Sequence, residues 1–127
     1  MASISIVLPN FNHGKFLKKC ITSILNQSVQ PLEIIIIDDA STDDSVPIIE
    51  RLTEDFPLVR LIRNKENKGV IYGMNLGTIE AEGDFLLYRA ADDHLMSDSL
   101  SAAQEAFAQK PDAAIAFGET IFFQYDP

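Results

Sequence analysis

Hydrophobic positions along this chain fall into two patterns that alternate with each other. Short continuous apolar runs, such as the one from Glu33 to Ile37, are typical of strands that are covered on both faces. The longer stretches between them place apolar residues three or four positions apart, which indicates amphipathic helices. The alternation predicts strands at Ser3 to Leu8, Glu33 to Ile37, Leu58 to Ile62, Asp84 to Tyr88, Ala113 to Phe117 and Ile121 to Phe123.

Helices are predicted between the strands. The first carries apolar residues up to Gln27, the second follows the polar stretch Ala40 to Ser45, and the third extends from about Val70 to Glu80. Gly73 and Gly77 weaken the third helix and predict that it packs closely on the sheet. The fourth helix is marked by Met96, Leu100, Ala103 and Phe107.

The predicted strands recur at the pitch of strand-helix-strand crossover units, which predicts parallel pairing. The fold class is therefore α/β, with a mostly parallel sheet flanked by helices on both faces. A length of 127 residues accommodates one domain with its own core, and we predict a single domain over residues 1–127.

Charge and composition exclude several classes of partner. The chain has 19 acidic and 10 basic residues and a formal net charge of −9, which disfavours nucleic acids and anionic membrane surfaces. A phosphorylated ligand would need a metal to offset this negative charge.

Cys20 is the only cysteine, so no intrachain disulfide is possible and a buried thiol is expected. No apolar run approaches the ~20 residues of a membrane helix, and we expect a cytoplasmic chain whose membrane association, if any, involves other regions.

Two pairs of adjacent aspartates, Asp38-Asp39 and Asp92-Asp93, each follow a predicted buried strand. In an open parallel sheet, ligands bind in the crevice beyond the carboxyl ends of the strands. Neighbouring carboxylates repel one another unless a cation or a hydrogen-bonding ligand lies between them. The two pairs therefore predict a binding site at this edge of the sheet.

The first pair opens an acidic segment that leads into the second helix. Side chains from Ser41 to Asp44 are expected to cap that helix, because Ser, Thr and Asp stabilise helix N-termini. Asp38 and Asp39 precede the helix, where a carboxylate can accept hydrogen bonds from a base edge or a ribose hydroxyl. For Asp39, ligand binding is the favoured interpretation.

The second pair has the chemistry of a site for a hard divalent cation. Magnesium or manganese typically uses one or two carboxylates, with waters and substrate phosphates as the other ligands. Ala90 and Ala91 are small and leave space for a bulky group near the backbone. Asp92 and Asp93 therefore suggest a metal with a nucleotide diphosphate; the alternative is a turn followed by a helix cap at Ser97 or Asp98.

An aromatic residue follows the first strand in the segment Pro9-Asn10-Phe11-Asn12. A base would stack on Phe11, although an aromatic residue at a strand end, taken alone, is more often part of the core.

The loop from Glu66 to Gly69 combines residues that favour turns with residues that let a ligand approach the backbone closely. Neither a P-loop nor a Gly-x-Gly-x-x-Gly fingerprint is present, which disfavours those two modes of nucleotide binding.

Taken together, these segments resemble the family 2 glycosyltransferases of the GT-A fold. No single segment is decisive, whereas the ordered set is highly specific and covers nearly the whole chain. The resemblance implies a Rossmann-like GT-A nucleotide-binding half, with residues 1–127 as the donor-binding portion of a longer catalytic domain. The matching segments are Ile6 to Asn12, Leu25 to Ser28, Glu33 to Ser45, Glu66 to Gly69, Asn75 to Gly77, Ala81 to Asp84 and Ala90 to Asp93.

The resemblance also implies roles for individual residues. In the family, the aromatic residue of the first motif lies against the nucleobase, and the second Asp of the strand-two motif pairs with the base. The last acidic motif contacts the ribose and binds a divalent metal, Mn or Mg, that bridges the diphosphate; its ligands here are Asp92 and Asp93. The implied nucleotide-binding residues are Pro9, Phe11, Asn12, Asp38, Asp39, Asn67, Gly69 and Asp92.

The chain departs from the family pattern at three points. Phe11 stands where Tyr is more usual, which keeps stacking and removes a hydroxyl. Ala90 stands where many members have the first Asp of an Asp-x-Asp motif, so metal binding depends on Asp92 and Asp93 alone. Family catalytic domains commonly continue into an acceptor-binding half that supplies the catalytic base. The chain as given is expected to bind nucleotide without transfer, and its catalytic residues stay unknown.

For the complete enzyme, the resemblance implies inverting, metal-dependent transfer of a sugar from a nucleotide-diphosphate donor to an acceptor hydroxyl on a saccharide, lipid or protein. One alternative is a non-catalytic nucleotide-binding module. Another is a sugar nucleotidyltransferase, which normally opens with a Gly-rich segment and a basic residue. A third is a phospho-acceptor receiver domain, whose acidic pair follows the first strand, where this chain has Pro9-Asn10. A homodimer would cover an unpaired edge or apolar face left by the last strands.

Overall fold

The computed structural model describes residues 1–118 and 120–122, in which strands and helices alternate. The predicted alternation is confirmed through the fourth helix, with boundaries that differ from the predicted ones by a few residues. The elements are β1 (Ile4–Asn10), α1 (Gly14–Leu25), β2 (Glu33–Asp38), α2 (Ser45–Asp55), β3 (Val59–Arg63), α3 (Val70–Glu80), β4 (Phe85–Tyr88) and α4 (Ser99–Gln109). Met96, which was predicted to belong to the fourth helix, lies ahead of its first residue.

The four strands form one parallel sheet in the order β3-β2-β1-β4. The chain adds β2 and β3 on one side of β1 and then crosses to the other side for β4. This reversal of direction at β1 is a topological switch point. Ligands of open α/β sheets bind at such points, beyond the carboxyl ends of the strands. The predicted α/β class and parallel sheet are confirmed.

The two faces of the sheet are covered in different ways. On one face, Ile4, Ile6 and Leu8 of β1 belong to the main core with residues of α1, α2 and α4. On the other face, α3 places Gly73 and Gly77 against the sheet. A Cβ at Gly77 would collide with Val7, and one at Gly73 would lie 3.5 Å from Ile37 Cγ2 and Pro9 Cβ. The predicted close packing of this helix on the sheet is confirmed.

The strand predicted at Ala113 to Phe117 is wrong. Residues 113–117 form no strand in the described part of the chain, and Ile115 and Phe117 are exposed. A strand needs a neighbour for its N–H and C=O groups, and none pairs with this segment among the described residues. The strand predicted at Ile121 to Phe123 lies partly outside the described residues. Within them, no helix is long and apolar enough to cross a membrane.

Candidate functional site

A crevice of about 450 Å³ opens at the carboxyl edge of the sheet, beside the switch point. Its volume lies in the usual range for small-molecule sites. The walls come from the ends of β1, β2 and β4 and from the start of α3. Four predicted site residues line it: Pro9, Phe11, Asp39 and Gly69.

Phe11 lies at the rim of this crevice, directly after β1. Its side chain is 45% exposed, which is high for a large apolar residue, and it does not belong to the main core cluster. An aromatic face in contact with both the crevice and solvent is a surface on which a planar ring can stack. Of the two interpretations of Phe11, the structure favours the rim position over the core position.

Asp38 ties the ends of β1 and β2 together. The residue is 1% exposed, and its carboxylate accepts hydrogen bonds from Asn10 Nδ2 at 3.0 Å, Ser41 N–H at 3.0 Å and Ser41 Oγ at 2.7 Å. The side chain does not line the crevice. A buried carboxylate needs donors, and here the protein itself supplies them. Asp38 therefore supports the loops around the crevice, and its predicted contact with a nucleotide stays a prediction.

Asn12 likewise makes contacts within the protein. It adopts a left-handed backbone conformation at φ 54°, and its Oδ1 accepts hydrogen bonds from Thr42 N–H at 2.7 Å and Asp43 N–H at 3.1 Å. Its own N–H donates to Ser41 Oγ at 3.0 Å. These bonds lock the β1–α1 loop to the β2–α2 loop. Asn12 does not line the crevice, and its predicted contact with a nucleotide stays a prediction.

The carboxylate of Asp43 caps the N-termini of two helices. Gly14 N–H donates to Oδ2 at 2.9 Å, and Ser45 N–H donates to Oδ1 at 2.9 Å, at the first turns of α1 and α2. Burial alone would raise the pKa of Asp43, but hydrogen bonds from Ser45 and Gly14 outweigh it and lower the pKa. The predicted capping function is confirmed for Asp43, whereas Asp44 makes no side-chain cap bond to α2.

Asp39 faces the crevice and also orders the loop that precedes α3. The residue is 6% exposed, and its carboxylate accepts hydrogen bonds from Lys68 N–H at 2.8 Å, Asn64 Nδ2 at 3.0 Å and Gly69 N–H at 2.9 Å. Burial would raise the pKa of Asp39, but these three hydrogen bonds and the nearby Lys68 charge lower it. A carboxylate has about four acceptor positions, so one stays available for a ligand.

The loop from Asn64 to Gly69 is held mainly through this aspartate. Gly69 has φ 88°, a conformation that favours glycine, and it lines the crevice just before α3 begins. Asn67 is exposed, and its Oδ1 accepts a hydrogen bond from Gly69 N–H at 3.2 Å. Asn67 lies beside the crevice lining, and its predicted contact with a nucleotide stays a prediction.

Asp92 and Asp93 occupy an exposed turn after β4. The Asp93 N–H donates to Ala90 O at 3.1 Å, and Asp93 Oδ2 lies 3.8 Å from Arg89 Nη2. Among the described residues, no group of three or more His, Cys, Asp or Glu side chains is placed to hold a metal. Two exposed carboxylates still fit Mg²⁺ or Mn²⁺ when a ligand's phosphates and water complete the coordination.

Two neighbours of this turn were not assigned to the site from the sequence. Arg89 lines the crevice, and no pattern in the sequence indicated which way its side chain points. Cys20, expected to be a core thiol, is buried in α1, and its Sγ lies 3.7 Å from Ala90 O. Burial raises the pKa of the Cys20 thiol to about 12, so it stays protonated and is confirmed as a core residue.

A parallel sheet with an aromatic and an acidic residue lining a crevice at its switch point is typical of nucleotide-binding α/β proteins. A match to a family model identifies which nucleotide-binding family this is. The chain belongs to glycosyl transferase family 2, whose family model matches residues 5–126.

One relative and two solved structures illustrate the similarity. The chain is 38% identical over 100 residues to an uncharacterized glycosyltransferase of Haemophilus influenzae, covering 79% of this chain and 40% of that protein. Residues 1–349 of TarS of Staphylococcus aureus, solved in complex with UDP, align with a TM-score of 0.77 at 24% identity over 84% of this chain and 32% of that fragment.

The mannosyltransferase PcManGT of Pyrobaculum calidifontis, solved with GDP-Man and Mn²⁺, aligns with a TM-score of 0.77 at 23% identity. That alignment covers 84% of this chain. The two structures share the GT-A glycosyltransferase fold with this chain. The alignments cover less than half the length of the relative and of the TarS fragment.

Proposed function

We propose that this chain binds the nucleotide-diphosphate sugar donor of a family 2 glycosyltransferase in the crevice at the switch point. The observation that supports this most directly is the convergence of Phe11 and Asp39 on that crevice in a chain of this family. The two residues supply a stacking surface and a hydrogen-bond acceptor, which together suit a nucleobase. The UDP and GDP-Man complexes of the structural neighbours support the same class of ligand.

Each group at the crevice has a defined task in this proposal. Phe11 stacks on the base, and the remaining acceptor position of Asp39 receives a base N–H. Gly69 and Gly73 carry no side chain, which lets the ligand approach the start of α3 closely. Asp92 and Asp93 would hold the divalent cation, which when bound neutralises charge on the departing diphosphate.

For the whole protein, we propose transfer of the sugar to an acceptor hydroxyl with inversion. The acceptor-binding portion and the catalytic base would belong to parts of the protein outside this chain, since the alignment with the relative covers only 40% of that protein. This chain alone would then bind the donor without transferring the sugar. We also propose a cytoplasmic location, where nucleotide sugars would be available to it.

Calorimetric titration with UDP, GDP and dTDP, each with and without Mn²⁺, tests donor binding. We expect one nucleotide to bind best and Phe11→Ala to weaken it by about 1–3 kcal/mol, the usual contribution of base stacking on an aromatic side chain. Phe56→Ala is the matched control, because Phe56 follows α2 and does not line the crevice. Absence of binding by the folded wild type, or equal losses in both variants, would contradict the proposal.

A further inference from the structure

Arg89 is the one permanently cationic side chain among the described residues that line the crevice. It follows β4 directly, and its backbone N–H donates to Val7 O at 3.0 Å, which fixes its position beside β1. The chain carries a formal charge of −9, and the carboxylate of Asp39 lies in the same crevice. A diphosphate that enters therefore meets a predominantly negative protein, and Arg89 is placed to offset this.

The guanidinium is held by one of its nitrogens and leaves the others available. Nη2 donates to His94 O at 2.9 Å and lies 3.8 Å from Asp93 Oδ2. Within the described part of the chain, neither Nε nor Nη1 makes a hydrogen bond. The side chain is 25% exposed, so solvent and ligands reach it. Arginine presents its N–H groups as a planar fork that matches two phosphate oxygens.

We propose that Arg89 binds the diphosphate of the donor directly, so that the phosphates are held by the guanidinium as well as by a divalent cation. This inference rests on the proposed function of the crevice. The small side chains of Ala90 and Ala91, which also line it, leave the approach to Arg89 open. The turn supplies two carboxylates to a cation, and no cluster of three metal ligands occurs among the described residues. Arg89 therefore gives the diphosphate a positive charge in addition to that of the cation.

A purely structural role for Arg89 makes a different prediction. Through His94 O and Asp93 it also holds the turn that carries the two carboxylates, and its removal would then affect phosphate binding only through the metal. Direct phosphate binding predicts an effect that persists when all divalent metal is removed. The nucleoside, which has no phosphate, should bind equally well with or without Arg89.

The test is calorimetric titration of the wild type, Arg89→Gln and Arg89→Lys with the preferred nucleoside diphosphate and its nucleoside, in EDTA and in Mn²⁺. Arg51→Gln is the control, because it removes the same charge from an exposed position in α2 whose partner is Asp55. In EDTA we expect Arg89→Gln to weaken the diphosphate about ten- to hundredfold, the range for hydrogen bonds to charged groups. Arg89→Lys should lose less, and nucleoside binding and Arg51→Gln should match the wild type.

Several results would overturn the proposal. One is diphosphate binding by the wild type that disappears in EDTA, and another is a loss in Arg89→Gln that appears only with Mn²⁺. An equal loss of diphosphate and nucleoside affinity would indicate general damage to the crevice. If the wild type binds no nucleotide in either buffer, the proposed function itself fails, and the inference about Arg89 fails with it.

Discussion

Two pairs of adjacent aspartates follow two parallel strands at the same edge of the sheet, yet they have opposite environments. Asp38 and Asp39 are buried, and each accepts three hydrogen bonds from the end of β1 or from neighbouring loops. Asp92 and Asp93 are exposed, with one distant ion pair from Asp93 to Arg89. The first pair holds the loops around the crevice, with Asp39 also facing it, and the second pair is exposed to ligands and cations.

The position of each strand in the sheet explains the difference. β2 is an interior strand, buried along its whole length, so carboxylates at its end are removed from water and require donors from the protein. β4 is a short strand at the edge of the described sheet and is only partly buried, so water reaches the turn after it. The same dipeptide is therefore held by protein donors at one strand end, where Asp39 alone faces the crevice, and is exposed to water at the other.

Removal of the most buried carboxylate should have the largest effect. Asp38→Ala leaves both Ser41 donors without an acceptor and leaves Asn10 Nδ2 with only Ser41 Oγ at 3.3 Å, and we expect a loss of about 2–4 kcal/mol in the free energy of unfolding. Urea unfolding measures it. Asp92→Ala is the control and should stay within about 0.5 kcal/mol of the wild type. Equal losses in the two variants would remove the distinction between the pairs.

Asp39→Asn should have the next largest effect, because an amide nitrogen cannot accept the hydrogen bond from Gly69 N–H. We expect a loss of about 1–2 kcal/mol in the free energy of unfolding. Amide hydrogen exchange at Lys68 and Gly69 should accelerate, since both N–H groups donate to this carboxylate. Asp93→Asn should leave exchange at these two amides unchanged. Unchanged exchange in Asp39→Asn would show that other contacts hold the loop.

A smaller effect is expected from acid, because the pKa of Asp39 and of Asp43 is lower in the folded chain than in model compounds. A lowered folded-state pKa stabilises the protein above the unfolded-state pKa, and the stabilisation is lost as the pH falls through the folded-state pKa. The midpoint of urea unfolding should therefore decrease from about pH 5 downward. The decrease should be smaller in Asp39→Asn; an identical pH dependence would contradict the assigned hydrogen bonds.

The smallest effect on stability is expected for the double variant Asp92→Asn with Asp93→Asn. Both side chains are exposed, so the free energy of unfolding should change by no more than about 0.5 kcal/mol. Any gain in nucleotide affinity that Mn²⁺ gives the wild type should disappear in this variant. Retention of that gain would place the metal ligands elsewhere in the chain.

Local sequence patterns were sufficient for most of the fold and for part of the site. Apolar periodicity located the elements through α4, because each strand and helix there has a packed partner. It failed for Ala113 to Phe117, since an apolar run becomes a strand only when another strand pairs with it. The glycine pair in α3 correctly indicated close packing, because the absence of Cβ atoms is a property of the residues themselves.

Roles that depend on distant partners were not predictable in the same way. The donors to Asp38 and Asp39 include Asn10 and Lys68, which lie 28 and 29 positions away in the chain. Ligand-facing and protein-facing carboxylates therefore look alike in the sequence. Arg89 was missed for a related reason, because its direction depends on how β4 pairs with β1.

The most direct test of the crevice is an NMR titration of the isotope-labelled chain with its preferred nucleoside diphosphate. We predict the largest amide shifts at Phe11, Gly69 and Ala90, which line the crevice. A second cleft, lined by Ala40, Ser41, Arg63, Asn64 and Lys65, offers two basic side chains and should change little. Largest shifts at Arg63 and Lys65, with little change at Phe11, would contradict the proposed site.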